Sequence, residues 1–330
     1  MRPDERSVRV EHELFMRTFF SMQPPARLMS QFASVIRDLY FEEGNVLFER
    51  GDPPDTVYFI VEGHVGMTDP EGLVWHFGPS SLVGIGDANL DRPRARTARA
   101  ESRLHVLAID ADEYFDIMED NFDFTLQLLL DTSAGIHDLA LGLPSDEVFV
   151  PRRVHTDGHP WTAVQQLNEV QRLLVLRESE LGEQAPVQPL VVLAKAAIEK
   201  RYDPGQIILD PGAVLDRLWF VGEGRVSVTH ESPPIRAKFG PGAILLGLAG
   251  LGHVVSRYTA RADTPVVLIG APKEALFDLM EDHFRLARRA FGLLSHENER
   301  VRRRLADLQA SSERQRAQET GPLTDRASGM

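Results

Sequence analysis

The sequence predicts a mainly β protein with flanking helices, built as two tandem jelly-roll β-barrels that are each followed by a long helix. Three observations carry this. Glycine landmarks repeat: Gly44, Gly51 and Gly63 return 161 residues later as Gly205, Gly212 and Gly224, while Gly78-Pro79, Met118 and Asp120 return after 162 as Gly240-Pro241, Met280 and Asp282. Short runs of strand-forming residues between glycine and proline turns fill the middle of each copy, and closing such strands into a barrel removes exposed edges. A stretch of helical period stands before and after each set of runs. One extra residue in a single hairpin loop explains the change of offset.

In the first copy, helical period over Leu14 to Leu39 precedes the runs Val46 to Phe48, Val57 to Val61, Leu73 to Phe77 and Leu104 to Ile109. Turns are expected at Gly51-Asp52-Pro53-Pro54-Asp55 and Asp69-Pro70-Glu71-Gly72, and a second helix from about Asp112. The second copy repeats the plan: helical period over Leu167 to Lys200, runs at Ile207 to Leu209, Leu218 to Val221, Val226 to Thr229 and Val266 to Ile269, and a helix from about Lys273. The domains are thus expected at 1–143 and 161–310. Between them 144–160, rich in proline, glycine and charge, reads as a linker, and 311–330 has too little to bury and is expected to be disordered.

A chain of 330 residues with 43% hydrophobic residues suits two domains with a core each. It has no cysteine, which excludes disulfides, cysteine-ligated zinc and thiol nucleophiles and is compatible with a reducing compartment. No apolar run reaches the roughly 18 residues of a membrane span, and Met1 to Glu13 is charged where a signal peptide would be apolar. A soluble, cytoplasmic protein is expected. The formal net charge of -13 repels nucleic acid and anionic membrane in general.

Helices, a first glycine turn in Glu43-Gly44, then Glu49-Arg50-Gly51-Asp52, Tyr58-Phe59-Ile60-Val61-Glu62-Gly63, Phe77-Gly78-Pro79, Pro93-Arg94-Ala95-Arg96-Thr97 and a long helix follow in an order that resembles the cyclic nucleotide-binding domain family, as in cAMP receptor protein-like chains. The match spans most of 14–143, with weaker counterparts over 167–308. The resemblance implies a phosphate-binding cassette in which a short helix offers backbone N–H groups, an arginine pairs with the cyclic phosphate and a glutamate holds the ribose hydroxyl. At the family spacing Arg94 is the arginine, with Gly84, Ala95, Arg96 and Thr97 around the phosphate. The glutamate position is Ile85, which accepts no hydrogen bond. Asp87, two residues on, substitutes only if the loop is rebuilt. In the second copy Gly247 stands at the glutamate position and Ser256 at the arginine, and Arg257, one residue along a strand, points to the opposite face. The second domain is the degenerate one. No cofactor is expected; for the first domain the open readings are a cyclic nucleotide, a different anionic small molecule, or a vestigial site.

The last helix carries Phe284, Ala287, Phe291, Leu294, Asn298, Val301, Leu305 and Leu308 in an a/d heptad register. One polar Asn at an a position fixes register in a two-stranded coil, and Glu297 at g reaches Arg302 at e of a partner. A homodimeric coiled coil is therefore expected through Phe291, Leu294, Asn298, Val301 and Leu305, the alternative being that the stripe packs within its own chain. The first copy has the same register in Phe122, Thr125, Leu129, Thr132, Ile136, Leu139 and Leu143, free either to meet the second domain or to join the dimer.

Other candidates are weaker. Arg300, Arg302, Arg303 and Arg304 fit a solvated helix flank, because the polar residues after Leu308 are too few for a DNA-reading module of about 60 residues. His155, Asp157 and His159 have metal-ligand chemistry, yet read as solvated linker residues, and no metal is expected. The run Gly247 to Gly252 does not open a helix in a βαβ unit, and nucleophile-elbow, P-loop and zincin motifs are missing, so no enzyme is expected. Two functions remain. One is a non-enzymatic signalling or scaffold protein that uses the domains mainly for protein contacts, its sensing weakened or lost. The other is a cyclic nucleotide (cAMP or cGMP) receptor working through Arg94.

Overall fold

The computed structural model describes residues 11–13, 15–17, 23–140, 161–163, 165–183, 185–231, 234–253 and 255–319. The linker and most of the tail, with His155, Asp157, His159 and Leu143, lie outside the described residues.

In the first copy helix α1 (Ala26–Val35) leads into strands β1 (Arg37–Phe41), β2 (Val46–Phe48), β3 (Thr56–Glu62), β4 (Val65–Thr68), β5 (Val74–Phe77) and β6 (Leu82–Val83). Then come the short helix α2 (Ile85–Asn89), strands β7 (Thr97–Ala100) and β8 (Leu104–Asp110), and helices α3 (Ala111–Asp120) and α4 (Phe122–Ala140). The second copy has α5 (Glu169–Arg177), α6 (Val187–Ala196), β9 (Ile198–Tyr202), β10 (Ile207–Leu209), β11 (Arg217–Glu223), β12 (Val226–Glu231), β13 (Pro234–Phe239), a 3₁₀ turn (Leu248–Gly250), β14 (Thr259–Ala262), β15 (Val266–Pro272), α7 (Lys273–Asp282) and α8 (Phe284–Glu319). Each barrel closes two antiparallel sheets, in the orders β1-β8-β3-β6 and β2-β7-β4-β5, then β11-β15-β9 and β10-β14-β12-β13.

The repeat fixes register. Gly63 and Gly224 both have φ near +90°, and an added Cβ at either would overlap the facing carbonyl, of Arg103 or of Pro265. The offset changes inside one hairpin. Thr68 pairs with Val74 in the first copy, and their counterparts Thr229 and Arg236 pair in the second, where the ladder runs on to Glu231 and Pro234.

Three sequence readings are corrected. The helical stretches Leu14 to Leu39 and Leu167 to Lys200 end early, at Val35 and Ala196, and the residues that follow form β1 and β9 against β8 and β15. Pro25 and Pro186 also interrupt them, each starting a new helix with its fixed φ. The last helix runs to Glu319, past the expected limit at 310, because Ala, Arg, Glu and Gln extend an existing helix at little cost once nucleation has occurred.

Phe48, Tyr58, Ile60, Met67 and Val106 fill the first barrel. A second, larger cluster runs without a break from Phe32, Phe59 and Phe115 through Leu129 and Ile136 of α4 and Leu294 and Val301 of α8 into Phe220 and Trp219. Leu294 and Val301, expected to face a second copy, are each only 1% exposed within one chain, where α8 packs on α4. Phe291 and Leu305 are partly buried on the same core, and the Asn298 side chain accepts from Arg302 Nε of its own helix. The dimer seam is consumed internally, which is the packing open to the stripe of the first copy as well.

Candidate functional site

The loop from Gly84 to Thr97 sits between β6 and β7, under α8. Gly84, left-handed at φ 90°, turns the chain into α2. Arg94 is 2% exposed. Its Nη1 donates to the Gly84 carbonyl at 2.5 Å and its Nη2 to the Thr56 carbonyl, and the guanidinium lies 4.4 Å over the Phe48 ring. Burial pulls the Arg94 pKa down, opposed first by the charge of Asp87. Arg94 Nε is buried with no acceptor among the described residues.

Asp87 is 5% exposed and faces into the same loop. One carboxylate oxygen accepts from Arg92 Nε at 2.9 Å and the other from the Ala95 N–H at 3.2 Å. Gly84, Asp87, Arg94 and Ala95 are thus brought together. Ile85 packs on the hydrophobic core. Thr97 accepts from the Arg50 N–H at 3.1 Å, outside this group.

Arg96 leaves the cluster altogether. It forms a two-pronged ion pair with Glu299 of α8 at 2.6 and 2.7 Å, lying 4.0 Å from the centre of the Trp75 ring. Arg303 reaches the same indole and pairs with Asp69 at 2.5 Å. Burial pushes the Glu299 carboxyl up, but His296 and Arg96 outweigh it and hold it below the usual carboxylate range. Trp75, Arg96, Leu293, His296, Glu297 and Arg303 line a cavity of about 300 Å³ at this junction.

The second loop is built the same way with other chemistry. Gly212 N–H bonds the Ser256 carbonyl as Gly51 N–H bonds that of Arg94, so the two positions are equivalent in space. The Ser256 hydroxyl accepts from the N–H of Tyr258 and donates to its carbonyl, bracing the turn that leads into β14. Leu245, Leu246, Leu248 and Leu251 of this loop are buried, and Leu246 holds the left-handed turn at φ 67°. Lys273, where the first copy has Ala111, buries its ammonium against the carbonyls of Gly250, Leu251 and His253 at 3.1, 3.1 and 2.9 Å. Burial lowers its pKa to about 8, opposed by Asp216.

Each loop is covered by the long helix of the other copy. Ser133 of α4 donates to the Leu248 carbonyl at 2.9 Å and accepts from Gly252 N–H at 3.0 Å, while Ser295 of α8, 162 residues on, lies over Gly86, the counterpart of Leu248. Gly292 of α8 faces Leu90, and at the equivalent contact Leu130 of α4 faces Gly252, a small residue meeting a large one in swapped order. Arg96–Glu299 corresponds to Tyr258–His137, where the phenol and the imidazole Nε2 are 2.8 Å apart. The sequence contained these pairings at the 162-residue offset, but only contact across the domains makes them visible. Glu299, Trp75, Arg92, Ser133, His137, Tyr258 and Lys273 carried no local motif.

His137 is 2% exposed, and burial, reinforced by the charges of His253, Arg257 and His230, lowers its pKa to about 3. Its folded pKa lies below the 6.5 of a free imidazole, so the unfolded chain binds the extra proton and stability falls as pH drops from 6.5 towards 3. By linkage the wild type is expected to lose about 2 kcal/mol from this site between pH 6.5 and 5. Urea titrations at pH 7 and pH 5 check this, since His137→Gln should show a correspondingly smaller loss.

A model of the cyclic nucleotide-binding domain matches residues 38–121 and 199–283. Among curated proteins, a patatin-like phospholipase domain-containing protein of Caenorhabditis elegans is 31% identical over 68 residues, 21% of this chain and 6% of that protein, so the chain spans a small fraction of that relative. Among solved structures, the regulatory domain of Toxoplasma gondii PKA with cAMP is 16% identical at TM-score 0.34, covering 91% of this chain and 99% of that one. The regulatory subunit of a cAMP-independent protein kinase A from Trypanosoma cruzi bound to guanosine is 18% identical at TM-score 0.31, covering 97% and 95%. The sensor domain of the transcriptional regulator DNR from Pseudomonas aeruginosa is 16% identical at TM-score 0.36, covering 42% and 96%.

Proposed function

The chain belongs to the cyclic nucleotide-binding domain family, and on that premise we propose that it is a non-enzymatic signalling or scaffold protein whose tandem domains work mainly through protein contacts, with ligand sensing weakened or lost. The observation that carries this reading is the state of the first cassette. The N–H of Ala95, which the family pattern offers to a phosphate, is taken by Asp87, and each terminal nitrogen of Arg94 already donates to a backbone carbonyl. Ile85 leaves a ribose hydroxyl without an acceptor, at a cost of roughly 1–3 kcal/mol. The second cassette is filled by leucines and pinned by Lys273.

The copies also differ on their outer helices. Val170, Val187 and Val192 are 64%, 57% and 47% exposed, where the positions 161 residues earlier are Arg9, Ala26 and Gln31. Exposed apolar side chains on these helices of the second copy favour a protein partner.

A thermal-shift panel of cAMP, cGMP and other phosphates tests the reading. No ligand is expected to move the melting curve. A receptor at a hundred times its dissociation constant gains about 2.7 kcal/mol, which raises Tm by several degrees. A shift of that size with a cyclic nucleotide, abolished in Arg94→Ala, would establish the receptor function instead.

A further inference from the structure

We propose that Asp87 is an internal anion that masks a site for a small phosphate: its carboxylate occupies the donors such a ligand needs and keeps the first cassette closed. The inference rests on the reading that sensing is weakened, and it names the residue responsible.

The donors around Asp87 are a backbone N–H (Ala95), a guanidinium Nε (Arg92) and, close by, the buried Arg94 with its Nε lacking an acceptor among the described residues. Amide and guanidinium groups converging on one point form an anion site whatever anion fills it. A carboxylate and a phosphate compete for such donors through the same oxygen chemistry. Here the carboxylate is attached to the loop itself, on α2, so its effective concentration is far above that of any free ligand. Taking Asp87 away leaves Arg94 without the charge that most opposes its lowered pKa, and leaves the half-buried Arg92 guanidinium without the carboxylate it pairs with. An incoming phosphate relieves both. The ligand class is a free phosphate or phosphodiester, because Asp87 is 5% exposed and Arg94 2% exposed, and α8 lies over the loop with Arg288 Nη2 bonded to the Ala88 carbonyl at 2.8 Å. A phosphorylated side chain on another protein does not reach that depth.

The full-length protein is compared as wild type, Asp87→Ala and the near-isosteric Asp87→Asn by calorimetric titration with inorganic phosphate and with cAMP, after circular dichroism has established which variants fold. The folded variants are expected to bind at least one probe ten times more tightly than wild type or better, with the gain lost in Asp87→Asn combined with Arg92→Ala. Phosphate alone, or phosphate and cAMP alike, tells whether the site takes the anion only or the nucleotide as well. A folded Asp87→Asn that binds neither probe overturns the proposal, while leaving the weakened-sensing reading intact. Should neither variant fold, the wild type decides: raising phosphate to high concentration is expected to shift the Asp87 carboxylate and Ala95 amide NMR resonances together as phosphate replaces the carboxylate at that amide, and unchanged resonances overturn the proposal. Tight cAMP binding by the unaltered protein overturns both readings at once.

Discussion

Leu294→Ala is expected to lower the stability of the chain by about 2–5 kcal/mol, measured by urea denaturation, and to do so independently of protein concentration. Leu294 is 1% exposed and sits where α8 meets α4, inside a cluster that continues from the helices of the first domain into the second barrel. The side chain is held by rigid elements on both sides, so the cavity left by three lost heavy atoms does not collapse easily. Because the core is shared, both domains should lose stability in one transition rather than two. A seam between two copies behaves otherwise. The variant would then dissociate on dilution with little change in the unfolding free energy of the monomer, and that pattern would refute the internal seam.

The heptad register in 284–308 was legible in the sequence, and so was the packing stripe it encodes; its partner was not. A stripe of apolar residues states that a face is buried, and the residue pattern that favours a second copy favours a second helix of the same chain equally well. Here the matching stripe of α4 is present because the domain is duplicated, and a covalent link makes the internal partner available at high effective concentration. The glycine turns carried the fold for a different reason. Gly63 and Gly224 are needed where a Cβ would strike a facing carbonyl, so they survive duplication at fixed spacing. Strands β1 and β9 escaped notice because the helical period before them runs on into their residues and their ladders are made with β8 and β15, far along the chain.

The candidate site divides along the same line. Arg94 and Gly84 were legible because one short segment, at one spacing, carries them. Asp87 was named for the ribose but serves the Ala95 amide, since what a carboxylate does depends on which donors the folded loop turns towards it. Arg96 was assigned to the phosphate, and its partner Glu299 lies 203 residues away, a separation at which no local pattern operates.

That pair supports the second large effect. Glu299→Ala is expected to cost about 2–4 kcal/mol, because it strands the Arg96 guanidinium, whose side chain is 11% exposed, without an anion. The Trp75 face at 4.0 Å gives Arg96 some compensation, and the Glu299 side chain, 30% exposed, keeps part of its hydration, so the figure lies at or below the range for a fully buried pair. Arg96→Ala should cost less, since Glu299 retains water and His296. The double variant Arg96→Ala, Glu299→Ala should then be more stable than the sum of the single losses predicts, with a coupling energy of about 1–3 kcal/mol from denaturant titrations on all four proteins. Additive losses would mean that the ion pair holds nothing across the domains. Coupling that also changes the hydrogen exchange of α2 amides would tie it to the cassette, because Gly86 and Leu90 of that loop rest on the same helix through Ser295 and Gly292. The Tyr258–His137 contact at the equivalent position of the second copy predicts the contrast: a neutral pair at this site should couple with little dependence on salt, whereas the Arg96–Glu299 coupling should fall as ionic strength rises.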